Sequence, residues 1–83
     1  MKVRFHSHAL ERMELRGATE GEVFSTIEAG ERFEAKFNRI GFRRNFSMAV
    51  IWRGKKYNTK QVEVYAVPEN TDWHVITVIT RYF

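Results

Sequence analysis

Histidine and two arginines stand at positions 8, 12 and 16, each four residues after the last. On a helix that spacing makes one polar stripe, opposite Leu10 and Met13 with Ala9 beside them. A histidine in the first turn meets a helix dipole that disfavours the imidazolium, a placement that favours a neutral ring able to take a proton. Two arginines below it can hold a phosphate bidentately. The same spacing also fits an exposed stripe in which Arg12 and Arg16 pair with Glu11 or Glu20, each pair worth about 0.3–0.5 kcal/mol. Spacing alone leaves the two readings even.

A second signal is charge. The chain of 83 residues carries a net charge of +4, unevenly spread. Residues 1–35 hold five Lys or Arg against seven acids, whereas residues 36–60 hold eight bases and no acid: Lys36, Arg39, Arg43, Arg44, Arg53, Lys55, Lys56 and Lys60. Such a stretch suits a polyanion, most simply nucleic acid, over a hairpin kept soluble by charge. Arg43, Arg44, Lys55, Lys56, Lys60 and, near the C terminus, Arg81 are the candidate nucleic-acid-binding residues.

The elements that must position these groups follow from caps and periodicity. Lys2 to His6 has the pattern of a short strand. Ser7 reads as the N-cap of a helix from His8 to Arg16, and Gly17 suits the left-handed position that ends it. Thr19 and Glu22 form a capping box, with Ala18 and Val23 as its staple, for a second helix that buries Val23, Phe24 and Ile27 and closes at Gly30. Everything after that runs in period two: Phe33 to Phe37, Phe42 to Trp52, Thr59 to Val67, and Trp73 to Tyr82. Short turns make these strands antiparallel neighbours. The expected fold is a single α+β domain over residues 1–83. Two N-terminal helices pack on one face of a four-stranded antiparallel sheet, with room for a short extra N-terminal strand. Leu10, Met13, Phe24, Ile27, Phe46, Met48 and Val50 are expected to meet in the core, leaving the other sheet face free to bind.

The segment Phe5-x-Ser7-His8-Ala9-Leu10-Glu11-Arg12-Met13-x-x-Arg16-Gly17-Ala18-Thr19-x-x-Glu22-Val23 resembles the opening of a family of small bacterial domains related to RelE-like and BrnT-like toxins, within the barnase/colicin/RelE nuclease fold. The specific match covers residues 5–23. Ala18 departs from the family's usual Ile. The resemblance implies metal-independent RNA cleavage by a toxin-type endoribonuclease. Such chemistry needs a base for the 2′-hydroxyl, cations for the phosphoryl charge and an acid for the leaving 5′-oxygen. It directs attention to His8, Arg12 and Arg16 and to the last strand. There, period two puts His74, Ile76, Val78, Thr80 and Tyr82 on one face and Trp73, Val75, Thr77, Ile79 and Arg81 on the other. His74 would then be an acid or base, Thr80 a hydroxyl donor and Tyr82 a stacking ring. An imidazole bonded to backbone and a packed terminal tyrosine fit those positions equally well. Trp52 and Trp73 read as core or interface rather than as base platforms.

Other chemistries have weak or no support. The chain has no cysteine, which removes disulfides, thiolate zinc sites and cysteine catalysis. His6 and His8 form an H-x-H pair with no third ligand nearby, so no metal or other cofactor is expected. The acids are scattered, and neither a serine nucleophile motif nor a phosphate-cradling glycine loop is present. No apolar run approaches a membrane span, and the opening residues lack a signal peptide, so a cytoplasmic protein is expected. The expected partners are RNA or the ribosome, an antitoxin protein and a second copy of the chain. The alternative function is a non-catalytic module that binds nucleic acid or blocks another macromolecule.

Overall fold

Local caps set where the helices begin and end. In the computed structural model, which describes Met1 to Phe83, the first strand β1 (Val3–Phe5) runs straight into helix α1 (Ser7–Arg16). The cap is His6, not Ser7: the His6 backbone is still extended, and its Nδ1 accepts a 3.1 Å bond from the His8 amide. Gly17 ends α1 at φ 76°, its N–H on the Met13 carbonyl. Helix α2 (Glu20–Ala29) opens on the full capping box, with Thr19 Oγ1 accepting from the Glu22 amide at 3.1 Å and Glu22 Oε1 accepting from the Thr19 amide at 2.9 Å. Gly30 closes it on the Thr26 carbonyl.

Four strands follow: β2 (Glu31–Glu34), β3 (Ile40–Trp52), β4 (Lys55–Glu69) and β5 (Asp72–Tyr82). They form an antiparallel meander, and β1 adds to its free edge in the order β1-β5-β4-β3-β2. The sheet is therefore five-stranded and mixed, not four-stranded and antiparallel, because β1 lies parallel to β5 with Arg4 opposite His74. From β1 the chain crosses by way of both helices to the far edge. The near edge of β5 is left to β1, and the Trp73 and His6 amides bond across to Lys2 and Val75.

Both helices cover one sheet face. The core is Ala9, Met13, Val23 and Ile27 from the helices with Phe42, Val62, Val64, Ala66, Val75 and Val78 from the sheet, and Ala18 between. Burial follows position in the sheet. β4 is the middle strand and supplies three fully buried residues, whereas the far half of β3 runs past the ends of the ten-residue helices. Met48, at 41% exposed, is therefore surface rather than core, and Phe46 and Val50 are only half buried. Leu10 and Phe24, 44% and 40% exposed, lie toward solvent on their helices.

A bulge in β5 corrects the expected faces of the last strand. Tyr65 pairs with Thr77, but the next residue, Ala66, pairs with Val75, so Ile76 is unpaired and the alternation flips. Trp73 and Val75 join Val78, Thr80 and Tyr82 on the helix side, where Trp73 meets the Phe42 ring edge-on at 5.0 Å. His74 moves to the opposite side, away from Thr80 and Tyr82. No helix is long and apolar enough to cross a membrane.

Candidate functional site

The sheet face that carries no helix is built by the odd positions of β3 and β4. In register across it stand Glu31, Arg43, Glu63 and Ile79 in one row, and Phe33, Gly41, Tyr65 and Thr77 in the next. Glu63 lies at the centre with only 4% of its side chain exposed. Its Oε2 accepts from Arg43 Nε at 2.9 Å and from Arg81 Nη1 at 3.2 Å, and its Oε1 accepts from the Tyr65 hydroxyl. Arg43 also approaches Glu31 at 3.9 Å. The Phe33 ring lies beneath the Arg43 guanidinium at 4.8 Å and meets Tyr65 edge-on. Gly41 makes this possible, because a Cβ there would collide with the Phe33 ring.

The electrostatics follow from this packing. Burial pushes the Glu63 carboxyl upward, but the Tyr65 hydroxyl and the Arg43 and Arg81 guanidiniums outweigh it and hold the group below the ordinary carboxylate range. Burial and the bond to Glu63 push the Tyr65 phenol up, so it keeps its proton at neutral pH. The bond to Glu63 and its charge raise Arg43 further. The result is an ionised carboxylate, a neutral phenol and two guanidiniums on side chains that are 38% and 55% exposed. Such a group can offer a phosphate two charged donors, while both shifts move Glu63 and Tyr65 away from titration near neutral pH.

The α1 stripe splits. The Arg16 guanidinium donates to the Val78 carbonyl at 2.7 Å, while the Arg16 carbonyl accepts from Thr80 Oγ1 at 2.9 Å and from the Tyr82 hydroxyl at 2.7 Å. Lys60 reaches the Gly17 carbonyl at 2.5 Å and Glu22 at 2.8 Å. The last carbonyls of α1, which the helix itself leaves unpaired, are thus met by sheet side chains, and Lys60 faces the negative end of the dipole. Tyr82 is stacked on Trp52 with ring centroids 4.9 Å apart. Arg16, Lys60 and Tyr82 therefore dock α1 on the sheet. His8 stays exposed, and its Nε2 accepts a long 3.4 Å bond from the half-buried Arg12.

A family model for a domain of unknown function, DUF4258, matches residues 5–80. The chain belongs to this family. Neither a curated protein nor a solved structure matches it. In this DUF4258 domain, then, the Arg16-Gly17 end of the α1 segment packs against the sheet.

The remaining candidate residues scatter. Arg44 lies on the helix side and donates to the Ser25 hydroxyl. Lys55 and Lys56 are exposed beside the β3–β4 turn, with Lys55 5.6 Å from the Tyr57 ring centroid. His74 Nδ1 is 3.1 Å from Glu69, which Arg4 also binds, and the His6 ring is 5.9 Å away. His74 pairs with Val67, four residues along β4 from Glu63, or about 13 Å at ~3.3 Å per residue. No three His, Asp or Glu side chains gather to hold a metal ion. Of the residues singled out for nucleic acid, Arg43 and Arg81 alone converge on one point. Sequence reasoning missed Glu63 and Tyr65, although a signal was present. Glu63 is the only acid between Lys36 and Pro68, and in Val62-Glu63-Val64-Tyr65-Ala66 the two polar groups share the outward phase.

Proposed function

We propose that this DUF4258 domain binds RNA on the helix-free face of its sheet and cleaves it without a metal ion, as a toxin-type endoribonuclease related to RelE-like and BrnT-like proteins. One observation carries the proposal: two guanidiniums, a phenol and an ionised carboxylate converge on the uncovered face at Glu63. Arg43 and Arg81 grip the scissile phosphate. Glu63 takes the proton from the 2′-hydroxyl as its oxygen attacks phosphorus. The bond to the 5′-oxygen breaks, Tyr65 protonates that oxygen, and a 2′,3′-cyclic phosphate remains. The guanidiniums stabilise charge as it builds on the phosphoryl oxygens, the role a metal plays elsewhere. On this reading mRNA, free or on the ribosome, is the substrate, and an antitoxin protein is the natural inhibitor.

A second reading has its own support. The Glu63 carboxylate is nearly inaccessible and already accepts three bonds, which favours a module that binds RNA without cutting it. Incubation with RNA, with and without ribosomes, in excess EDTA separates the two. Products ending in 2′,3′-cyclic phosphate, lost by about 100-fold or more in Glu63→Gln and Tyr65→Phe, are expected of the enzyme. Binding with no product at any enzyme concentration identifies the module. Absence of any RNA binding at low salt overturns both.

A further inference from the structure

Beside the Glu63 cluster, on the same face, an open groove of about 450 Å³ is lined by Phe33, Ala35, Phe37, Arg39, Tyr65 and Thr77. We infer that this groove seats one unpaired base of single-stranded RNA, stacked on Phe37, while the adjoining phosphate lies at Arg43; the inference rests on the reading of this face as an RNA-binding surface.

Phe37 is the first reason. It projects from the β2–β3 turn 82% exposed, at φ 62°, followed by Asn38 at φ 57°. A turn with both central residues at positive φ is the mirror-image type that favours Asn-Gly, and a bulky aromatic at its first central position is strained. The ring is not there for packing, since most of it meets water, nor for the turn, which would prefer glycine. A solvent-facing ring beside cations is what a stacking platform requires. Arg39 stands 5.8 Å from the Phe37 ring centroid, which adds a flat cation to the same spot.

The second reason is continuity with the phosphate-binding groups. Phe33 lines the groove and also lies under the Arg43 guanidinium, and Tyr65 lines the groove and bonds to Glu63. Base and phosphate subsites thus share two rings. With Lys36 and Arg39 in its lining against Glu34, the groove is net positive and suits an anionic chain. Its volume falls at the small end of ligand sites, about 300–1,000 Å³, enough for a nucleoside.

The test is fluorescence anisotropy of a short single-stranded RNA with the full chain, repeated on an RNA of equal length and charge with abasic sugars. Phe37→Ala is expected to weaken binding of the ordinary RNA about 5- to 150-fold, the range seen when a stacking ring is removed. It should leave binding of the abasic RNA unchanged. Phe37→Trp should restore the affinity and show fluorescence quenching as a base stacks. If Phe37→Ala binds ordinary RNA as the parent does while Arg43→Ala and Arg81→Ala bind more weakly, the groove is overturned and the reading of the face stands. If Phe37→Ala weakens both RNAs equally, the ring does not seat a base. If the parent chain binds neither RNA at low salt, the reading of the face fails and the groove with it. Thermal melts of each variant confirm that it is folded.

Discussion

Glu63 concentrates the electrostatics of the molecule in one side chain. Its carboxyl is held below the ordinary range in the folded chain, so the unfolded chain binds its proton more readily. The resulting stability is complete above the unfolded carboxylate value, about pH 4.3, and is lost as pH falls toward the folded value. Tyr65, raised in the folded chain, acts at the other end: its contribution is complete below about pH 10 and is lost as pH rises beyond that. Denaturant melts across pH should therefore show a plateau with a falling acid limb, and Glu63→Gln should flatten that limb. The same variant should cost about 1–3 kcal/mol at neutral pH, toward the low end because both arginines are exposed enough to turn to water. A full acid limb in Glu63→Gln would assign it to other carboxylates. On α1 the stripe residues should separate in the same assay. Arg16→Ala should lose about 1–3 kcal/mol, since the Val78 carbonyl loses a charged donor. His8→Ala, at an exposed position, should stay within about 0.5 kcal/mol of the parent.

Among the turns and caps that join the elements, two positions at positive φ should respond with opposite sign. Gly17 combines its left-handed backbone with a close approach: a Cβ would stand 2.6 Å from the Trp52 ring and 2.9 Å from the Tyr82 hydroxyl. Gly17→Ala should therefore cost at least about 1–2 kcal/mol from the backbone alone, with more from displacing Trp52. In a domain of this size each kcal/mol lowers Tm by roughly 4–8 °C. Phe37, also left-handed, has open space around most of its ring. Phe37→Gly should raise stability by up to about 1 kcal/mol while weakening RNA binding. A Phe37→Gly variant that melts lower than the parent would mean the ring packs, and the stacking role would lose its motive.

Over the full surface the excess positive charge is divided by burial. The chain extends 40 × 24 × 22 Å, and the β3–β4 hairpin carries Lys55 and Lys56 out into solvent. Lys60, in the same basic stretch, is only 7% exposed and paired with Glu22. Charge reversal at Lys55 and Lys56 should leave the melt unchanged and weaken RNA binding. It should also reduce the slope of log affinity against log salt by about 0.7 for each phosphate that the protein no longer neutralises. Lys60→Glu should instead destabilise the fold, because it sets a second carboxylate against Glu22 and leaves the Gly17 carbonyl without its donor. Loss of binding in Lys60→Glu with an unchanged melt would place Lys60 on the binding surface after all.

Features that depend on near neighbours are legible in the amino-acid order. The capping box at Thr19 and Glu22, the left-handed stop at Gly17 and the period-two strands are set within about four residues, by amide partners and side-chain alternation. Features that depend on distant partners needed the folded chain. The Arg16 guanidinium finds its acceptor 62 residues away and the Tyr82 hydroxyl finds its own 66 residues away. Those bonds turn a stripe suited to phosphate into a docking site. The bulge at Ile76 moved His74 to the other face, since alternation predicts faces only while the register is unbroken. The middle place of β4 made it the core strand and brought Glu63 between Arg43 of β3 and Arg81 of β5. One-dimensional periodicity says which residues share a face, but pairing across strands decides which of them touch, and the carboxylate that organises the candidate site exists only through that pairing.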